Sequence, residues 1–171
     1  MNYNDILRQL RYTLNINDST MIKIFKLADR EIERSHLTGL LKKEDEGGFI
    51  ICGDDVLRYL LDGLILHKRG KKEIKPGETR KSDSRLTNNS ILKKIRIALE
   101  LKEDDMLGIL KLANINISKP ELTALFRREG HKNYEECGEQ FLRKFLKGLT
   151  IRYRPRGLTG KQLYLRKFSG L

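Results

Sequence analysis

Apolar residues recur along this chain at the spacing of amphipathic helices. Leu57, Leu60, Leu61 and Leu64, for example, fall at positions i, i+3, i+4 and i+7, which places them on one face of a helix. Leu, Ile, Lys, Arg and Glu dominate the composition, and this favours helices over a sheet built from alternating β-branched residues. The sequence therefore predicts an all-α fold.

The helical pattern occurs twice. The stretch CGDDVLRYLLDGL at 52–64 returns 85 residues later as CGEQFLRKFLKGL at 137–149, and the same shift holds without a gap from Asn4 to Arg69. So long a gapless match indicates two copies of one helical unit. We expect the following organisation: repeat one at 1–70, a basic linker at 71–88, repeat two at 89–155 and a basic C-terminal tail at 156–171.

Each repeat is predicted to contain four helices, and several of their starts carry local signals. The first helix spans about residues 5–15 with Asn4 as its N-cap, and the second begins near Asp18, where an acid suits the helix dipole. The third helix of repeat two begins with a capping box, SKPE at 118–121, whereas the cap in repeat one shifts to Ser35. Because each unit is small, we expect the two to be related by an approximate two-fold axis and to share a core across an apolar seam.

Two glycines, Gly63 and Gly148, lie inside the fourth helices at matched positions. A glycine there costs about 1 kcal/mol relative to alanine, so something must offset this cost in both repeats. A close helix crossing is the interpretation that we favour. A ligand lying against the helix is the alternative.

Three charged positions recur in both repeats on segments that should pack together. Such side chains can form a half-buried internal clamp, which we favour, or an anion or ligand pocket. The matched residues are Arg11 and Arg96, Glu44 and Glu129, and Arg58 and Arg143.

Residues able to carry out catalysis or hold a metal are few and scattered. His36, His67 and His131 lie far apart, without the spacing of metal ligands. Cys52 and Cys137 precede the fourth helices, where a helix dipole can lower a thiol pKa, but nearby acids oppose that shift and favour structural thiols. The sequence therefore predicts neither an enzyme nor a cofactor.

Several segments together resemble a known bacterial family, the YehS-like proteins, which contain a tandem domain of unknown function (1456). In repeat one these are NDILRQLRYTL, LLKKEDEGGF and CGDDVLRYLLDGLI. In repeat two they are ILKKIRIALELKEDDML, LTALFRRE, HKNYEECG and QFLRKFLKGL. The resemblance spans about residues 4–154 and implies a two-copy helical protein, without an activity or catalytic residues to carry over.

The net charge of +12 is unevenly distributed. Residues 4–70 contain 11 basic and 11 acidic side chains, whereas 89–154 contain 14 and 9, and the linker and tail are also basic. Such segregation favours a surface that faces a polyanion, with nucleic acid the commonest partner. The candidate contacts are Arg127, Arg128, Lys132, Arg152, Arg154, Arg156, Tyr164, Arg166 and Lys167.

A helix-turn-helix that places Lys119 and Thr123 in a major groove is disfavoured, since the connection at 113–118 is longer than the usual tight turn. We instead expect a cytoplasmic accessory factor that binds RNA or DNA with low sequence specificity. The alternative is a protein-interaction module with a partner in the groove between the repeats. No apolar run is long enough to span a bilayer, so a membrane partner is not expected.

Overall fold

In the computed structural model, residues 1–70 and 85–154 are described, and these form eight α-helices, four in each repeat. The all-α, two-repeat architecture predicted from the sequence is confirmed. The helices are α1 (Tyr3–Thr13), α2 (Asp18–Leu27), α3 (Arg34–Leu41), α4 (Asp54–Arg69), α5 (Asn88–Ala98), α6 (Glu103–Leu112), α7 (Lys119–Ala124) and α8 (Glu139–Tyr153).

The first and last helices of the two repeats form the centre of the fold. In cyclic order, α1 packs on α4, α4 on α5, α5 on α8 and α8 on α1. The first helix of each repeat therefore packs on the last helix of the other, which is the exchange expected of an approximate two-fold relation. Helices α2 and α3 pack against this centre from repeat one, and α6 packs on α8 and α7 in repeat two.

Most of the buried apolar side chains of both repeats belong to one continuous hydrophobic cluster, in which Phe25 and Phe145 are fully buried. The seam between the repeats also contains polar contacts. The hydroxyl oxygens of Thr13 and Thr150 lie 2.7 Å apart, and Lys94 forms an ion pair with Asp62. The repeats thus meet through packed helices.

The two helix glycines mark close helix crossings, as predicted. A Cβ atom built on Gly63 would lie 2.0 Å from the carbonyl oxygen of Ile24 in α2. A Cβ atom on Gly148 would lie 2.1 Å from the carbonyl oxygen of Ile109 in α6. Only a residue without a side chain allows these backbones to come so close, so the crossing explains both glycines without a ligand.

The start of the first helix differs from the prediction. Asn2, not Asn4, is the N-cap of α1, and its side chain forms a capping box with Asp5. In repeat two, Thr87 caps α5 in the same way. Asn4 lies within the first turn and is fully buried. Local preference pointed to an asparagine cap, but the burial of Asn4 depends on contacts distant in sequence.

The third helices start differently in the two repeats. In α7, Ser118 and Glu121 form the predicted capping box. In α3 the N-cap is Glu33, which makes no side-chain capping bond, and Ser35 lies inside the helix. The predicted cap at Ser35 is therefore wrong, because the chain enters the helical conformation two residues earlier.

The segment before α5 belongs to the packed structure although its sequence suggested linker. Leu86 is buried, and its main-chain nitrogen donates a hydrogen bond to Asp54. The hydroxyl of Tyr3 also donates to Asp54, at 3.1 Å.

Within the described part of the chain, no helix combines the length and hydrophobicity needed to cross a membrane.

Candidate nucleic-acid interface

A buried asparagine organises each repeat. The Asn4 side-chain nitrogen donates to the carbonyl oxygens of Leu40 and Ile50, both at 2.9 Å, and its oxygen accepts the N–H of Cys52 at 2.9 Å. One amide therefore ties α1 to both ends of the loop between α3 and α4. Because all three bonds use main-chain groups, they are independent of the loop's side chains.

Asn89 makes the same three bonds in repeat two, with the carbonyl oxygens of Leu125 and Glu135 and the N–H of Cys137, at 2.8 to 2.9 Å. The sequence reasoning missed this role for both asparagines. The available signal was an identical polar residue beside the apolar positions of both first helices.

Cys52 and Cys137 are buried free thiols beside these asparagines. Burial, together with the charge of Asp55, raises the pKa of Cys52 to about 12. Burial raises the pKa of Cys137 to about 11. The thiolate forms are disfavoured at neutral pH, which is the opposite of what a nucleophilic cysteine requires.

We expect these thiols to make the protein less stable as the pH becomes alkaline. Their folded-state pKa values lie above the ordinary value of 9.0, so the stabilisation is complete below about pH 9 and is lost as the pH rises towards the folded values. Thermal unfolding measured from neutral to alkaline pH should show the wild type losing stability more steeply than a Cys52→Ala, Cys137→Ala variant. Equal pH dependence of the two proteins would contradict this expectation.

The predicted ionic clamp does not form. Arg11 pairs with Asp18 at 2.8 Å, because the short connection between α1 and α2 brings them together. Arg58 pairs with Asp54 at 3.0 Å, one turn away on α4. Glu44 is exposed in the loop after α3 and forms no ion pair with the other described residues. The clamp is therefore replaced by pairs between near neighbours.

The matched residues of repeat two also make local contacts. Arg143 pairs with Glu139 at 3.0 Å on α8. Arg96 lies over the ring of Phe126, 4.6 Å from its centroid, and donates to the carbonyl of Leu101. Glu129 is exposed, so these residues do not converge on an anion or ligand pocket.

Five of the predicted nucleic-acid contacts fall in the described part of the chain. Arg127, Arg128 and Lys132 are exposed in the loop between α7 and α8. Arg152 instead forms an ion pair with Asp105 at 2.8 Å, and Arg154 contacts α1. The remaining candidates lie outside the described residues: Arg156, Tyr164, Arg166 and Lys167.

The exposed face of α8 adds two cations that the sequence analysis did not identify as candidates. Lys144 and Lys147 are exposed, and no carboxylate of the described residues pairs with either. Their spacing places them one turn apart beside Arg143. The corresponding positions of α4 hold Tyr59 and Asp62. Comparing the duplicated helices position by position would have found this difference.

The α6–α7 segment does not resemble a groove-binding helix-turn-helix. Helix α7 has only six residues, and Ile115 and Ile117 in the connection pack against the core. The Lys119 ammonium lies 3.5 Å from carboxylates of both Glu103 and Asp104, which neutralise it at the surface.

One cavity of about 180 Å³ opens in repeat one, where Phe25 and Val56 form apolar walls. Its rim mixes both signs of charge, with Arg30 and His36 beside Glu31 and Glu33. The cavity therefore does not extend the basic surface. Within residues 1–70 and 85–154, no three His, Cys, Asp or Glu side chains come together in a way that could hold a metal ion.

The fold and its two matched sites define a tandem-repeat, all-α protein. Residues 3–70 and 88–155 each match the family described as "Protein of unknown function (DUF1456)". The chain belongs to this family, as its resemblance to the YehS-like proteins predicted. It is 47% identical over 149 residues to "Uncharacterized protein YehS" of Escherichia coli (strain K12), covering 87% of this chain and 94% of that protein. No solved structure matches the chain.

Proposed function

We propose that this protein is a non-catalytic accessory factor that binds RNA or DNA through the exposed basic face of repeat two, with little sequence preference. The observation that carries the proposal is the outer face of α8. Lys144 and Lys147 are exposed there without a carboxylate partner among the described residues, on a helix whose counterpart in repeat one holds Tyr59 and Asp62.

The duplication provides an internal reference for this charge. Both fourth helices cross a neighbouring helix at a matched glycine. The matched positions differ in their contacts, because Tyr59 packs against the core and Asp62 pairs with Lys94, whereas Lys144 and Lys147 are exposed. The crossing itself does not require cations at these positions, since repeat one makes the same crossing without them. Exposed positive charge on only one of the two duplicated helices supports a ligand that contacts repeat two.

The pairing of charges also differs between the repeats. Asp62 of α4 forms an ion pair with Lys94 of α5, and in the loop between α3 and α4 the Lys42 ammonium donates a hydrogen bond to the carbonyl oxygen of Gly47. In repeat two, Arg127 and Arg128 are exposed in the corresponding loop. Cations that form no ion pair remain available to phosphate groups.

Binding should be electrostatic and therefore sensitive to salt. If about four to six phosphates are neutralised, log K should fall with log salt with a slope of roughly −3 to −5, for unrelated sequences alike. Reversing charge with Lys144→Glu and Lys147→Glu should weaken binding and make the slope shallower. Fluorescence anisotropy with labelled oligonucleotides over a salt series measures both quantities.

The matched control is Lys23→Glu with Lys26→Glu on α2. These two lysines are also exposed on a helix at i, i+3 spacing, so the total charge change is identical. A control at Lys42 would disturb the loop that its ammonium holds. We expect the α2 pair to have a much smaller effect. Equal losses from the two pairs would show that only total charge matters, and no binding at low salt would remove the nucleic-acid function and leave a protein-interaction module.

A further inference from the structure

An aromatic ring and a guanidinium group meet where the end of α8 reaches α1. Tyr12 lies in the last turn of α1 and is 49% exposed. Arg154, which follows α8, places its Cζ atom 4.5 Å from the centre of the Tyr12 ring. Its Nη1 also donates to the Tyr12 carbonyl oxygen at 2.9 Å. The contact therefore holds an exposed ring and a cation in a fixed arrangement between the repeats.

The two-fold-related position has the arginine-to-carbonyl hydrogen bond but no aromatic ring. Arg69 of α4 donates through Nη1 to the carbonyl oxygen of Ile97 at 3.4 Å. Ile97 takes the place of the tyrosine, and Glu100 lies 3.6 Å from the arginine Nε. The arginine-to-carbonyl bond is thus common to both interfaces. Among the described residues, the exposed ring and an arginine without an acidic partner occur only at Tyr12 and Arg154.

Arg154 also retains hydrogen-bonding capacity. Nη1 is used by the Tyr12 carbonyl, whereas Nε and Nη2 make no hydrogen bond with the described residues. Guanidinium groups bind phosphate oxygens, and both arginine and tyrosine stack on nucleobases. Stacking needs an unpaired base whose face is accessible, which a single strand offers and a continuous duplex does not.

We propose that Tyr12 and Arg154 form a stacking site for an unpaired nucleobase, so that the protein prefers single-stranded over duplex nucleic acid. This inference rests on the proposed function, because the same strand also binds the lysines of α8. Lys147 lies seven residues before Arg154, which corresponds to about 10 Å along the helix. A single strand following α8 contacts the lysines through its phosphates and the Tyr12 ring through a base. Tyr153, half-exposed at the same helix end, adds a second aromatic surface nearby.

The test compares Tyr12→Leu with Tyr12→Phe in the full chain, using a mixed-sequence single-stranded oligonucleotide and the duplex formed from it. Stacking typically contributes enough that Tyr12→Leu should lower single-strand affinity about five- to one-hundred-fold while leaving duplex affinity unchanged. Tyr12→Phe retains the ring and should bind like the wild type. Ile97→Leu, at the two-fold-related position, should change neither affinity.

The possible outcomes separate this inference from the function on which it rests. If Tyr12→Leu leaves single-strand binding unchanged while the Lys144 and Lys147 charge reversal weakens it, the stacking site is overturned and the function stands. Equal losses for single strand and duplex in Tyr12→Leu would also overturn the stacking site, because they report a general change in structure. If the wild type binds neither oligonucleotide at low salt, the proposed function itself fails.

Discussion

Replacing Asn89 with leucine is expected to lower the free energy of unfolding by about 3–5 kcal/mol, a large part of the stability of a domain of this size. Leucine has a similar volume but offers no hydrogen bonds. The carbonyls of Leu125 and Glu135 and the N–H of Cys137 would lose their partner, and each buried unpaired group costs about 1–3 kcal/mol. Urea unfolding with linear extrapolation measures the loss.

Asn116→Leu is the matched control for this experiment. Asn116 is exposed in the connection before α7 and makes no hydrogen bond with the other described residues. The same chemical change there should alter stability by no more than about 0.5 kcal/mol. Asn4→Leu should reproduce the large loss in repeat one. If Asn89→Leu costs no more than the control, the three bonds do not hold the repeat together.

Gly148→Ala is expected to destabilise the protein by about 2–3 kcal/mol, although alanine is the better helix former by about 1 kcal/mol. The added Cβ would lie 2.1 Å from the Ile109 carbonyl oxygen, far inside van der Waals contact. Because the obstacle is backbone rather than a flexible side chain, α6 and α8 must move apart to accommodate it. Thermal unfolding measures the effect, and Gly63→Ala should behave alike.

Gly108→Ala separates crowding from helix propensity. Gly108 is also inside a helix, α6, but it is exposed and a Cβ there meets no atom within 4 Å. Alanine should therefore stabilise the protein by about 0.5–1 kcal/mol. A rise in melting temperature for both Gly108→Ala and Gly148→Ala would show that the crossing tolerates a side chain.

Much of the fold could be predicted because its signals repeat. The apolar spacing defines the helices, and the gapless duplication allows each helix to be checked against a second copy. Asn4 shows a feature of the fold that these signals do not predict. An asparagine near a helix start is a good cap by local preference, and only the distant chain at Ile50 and Cys52 makes it a buried anchor. The duplication revealed that the residue recurs, but its partners depend on tertiary structure.

The candidate site likewise has one part that the sequence predicts and one part that it does not. The charge difference between the repeats is visible in the sequence, and comparing α4 with α8 would have located Lys144 and Lys147. The position of Arg154 against Tyr12 could not be found so directly, because these residues lie on helices of different repeats. Their meeting depends on how α1 packs on α8. The sequence therefore shows which repeat has the excess of positive charge, whereas the contact between Arg154 and Tyr12 depends on helix packing.

The exchange of first and last helices between the repeats has a consequence for how the protein tolerates change. The contacts α1 with α8 and α5 with α4 are the same contact made twice with the roles reversed, which is the geometry of an isologous dimer. Each repeat contains both halves of that contact.

In a dimer of identical chains, every substitution appears on both subunits, and a new lysine would alter two faces together. Joining the halves in one polypeptide removes this constraint. One half can keep Asp62 and its ion pair with Lys94 while the other carries Lys147 at the same place in the fold. Covalent fusion thus permits asymmetry on a symmetric scaffold.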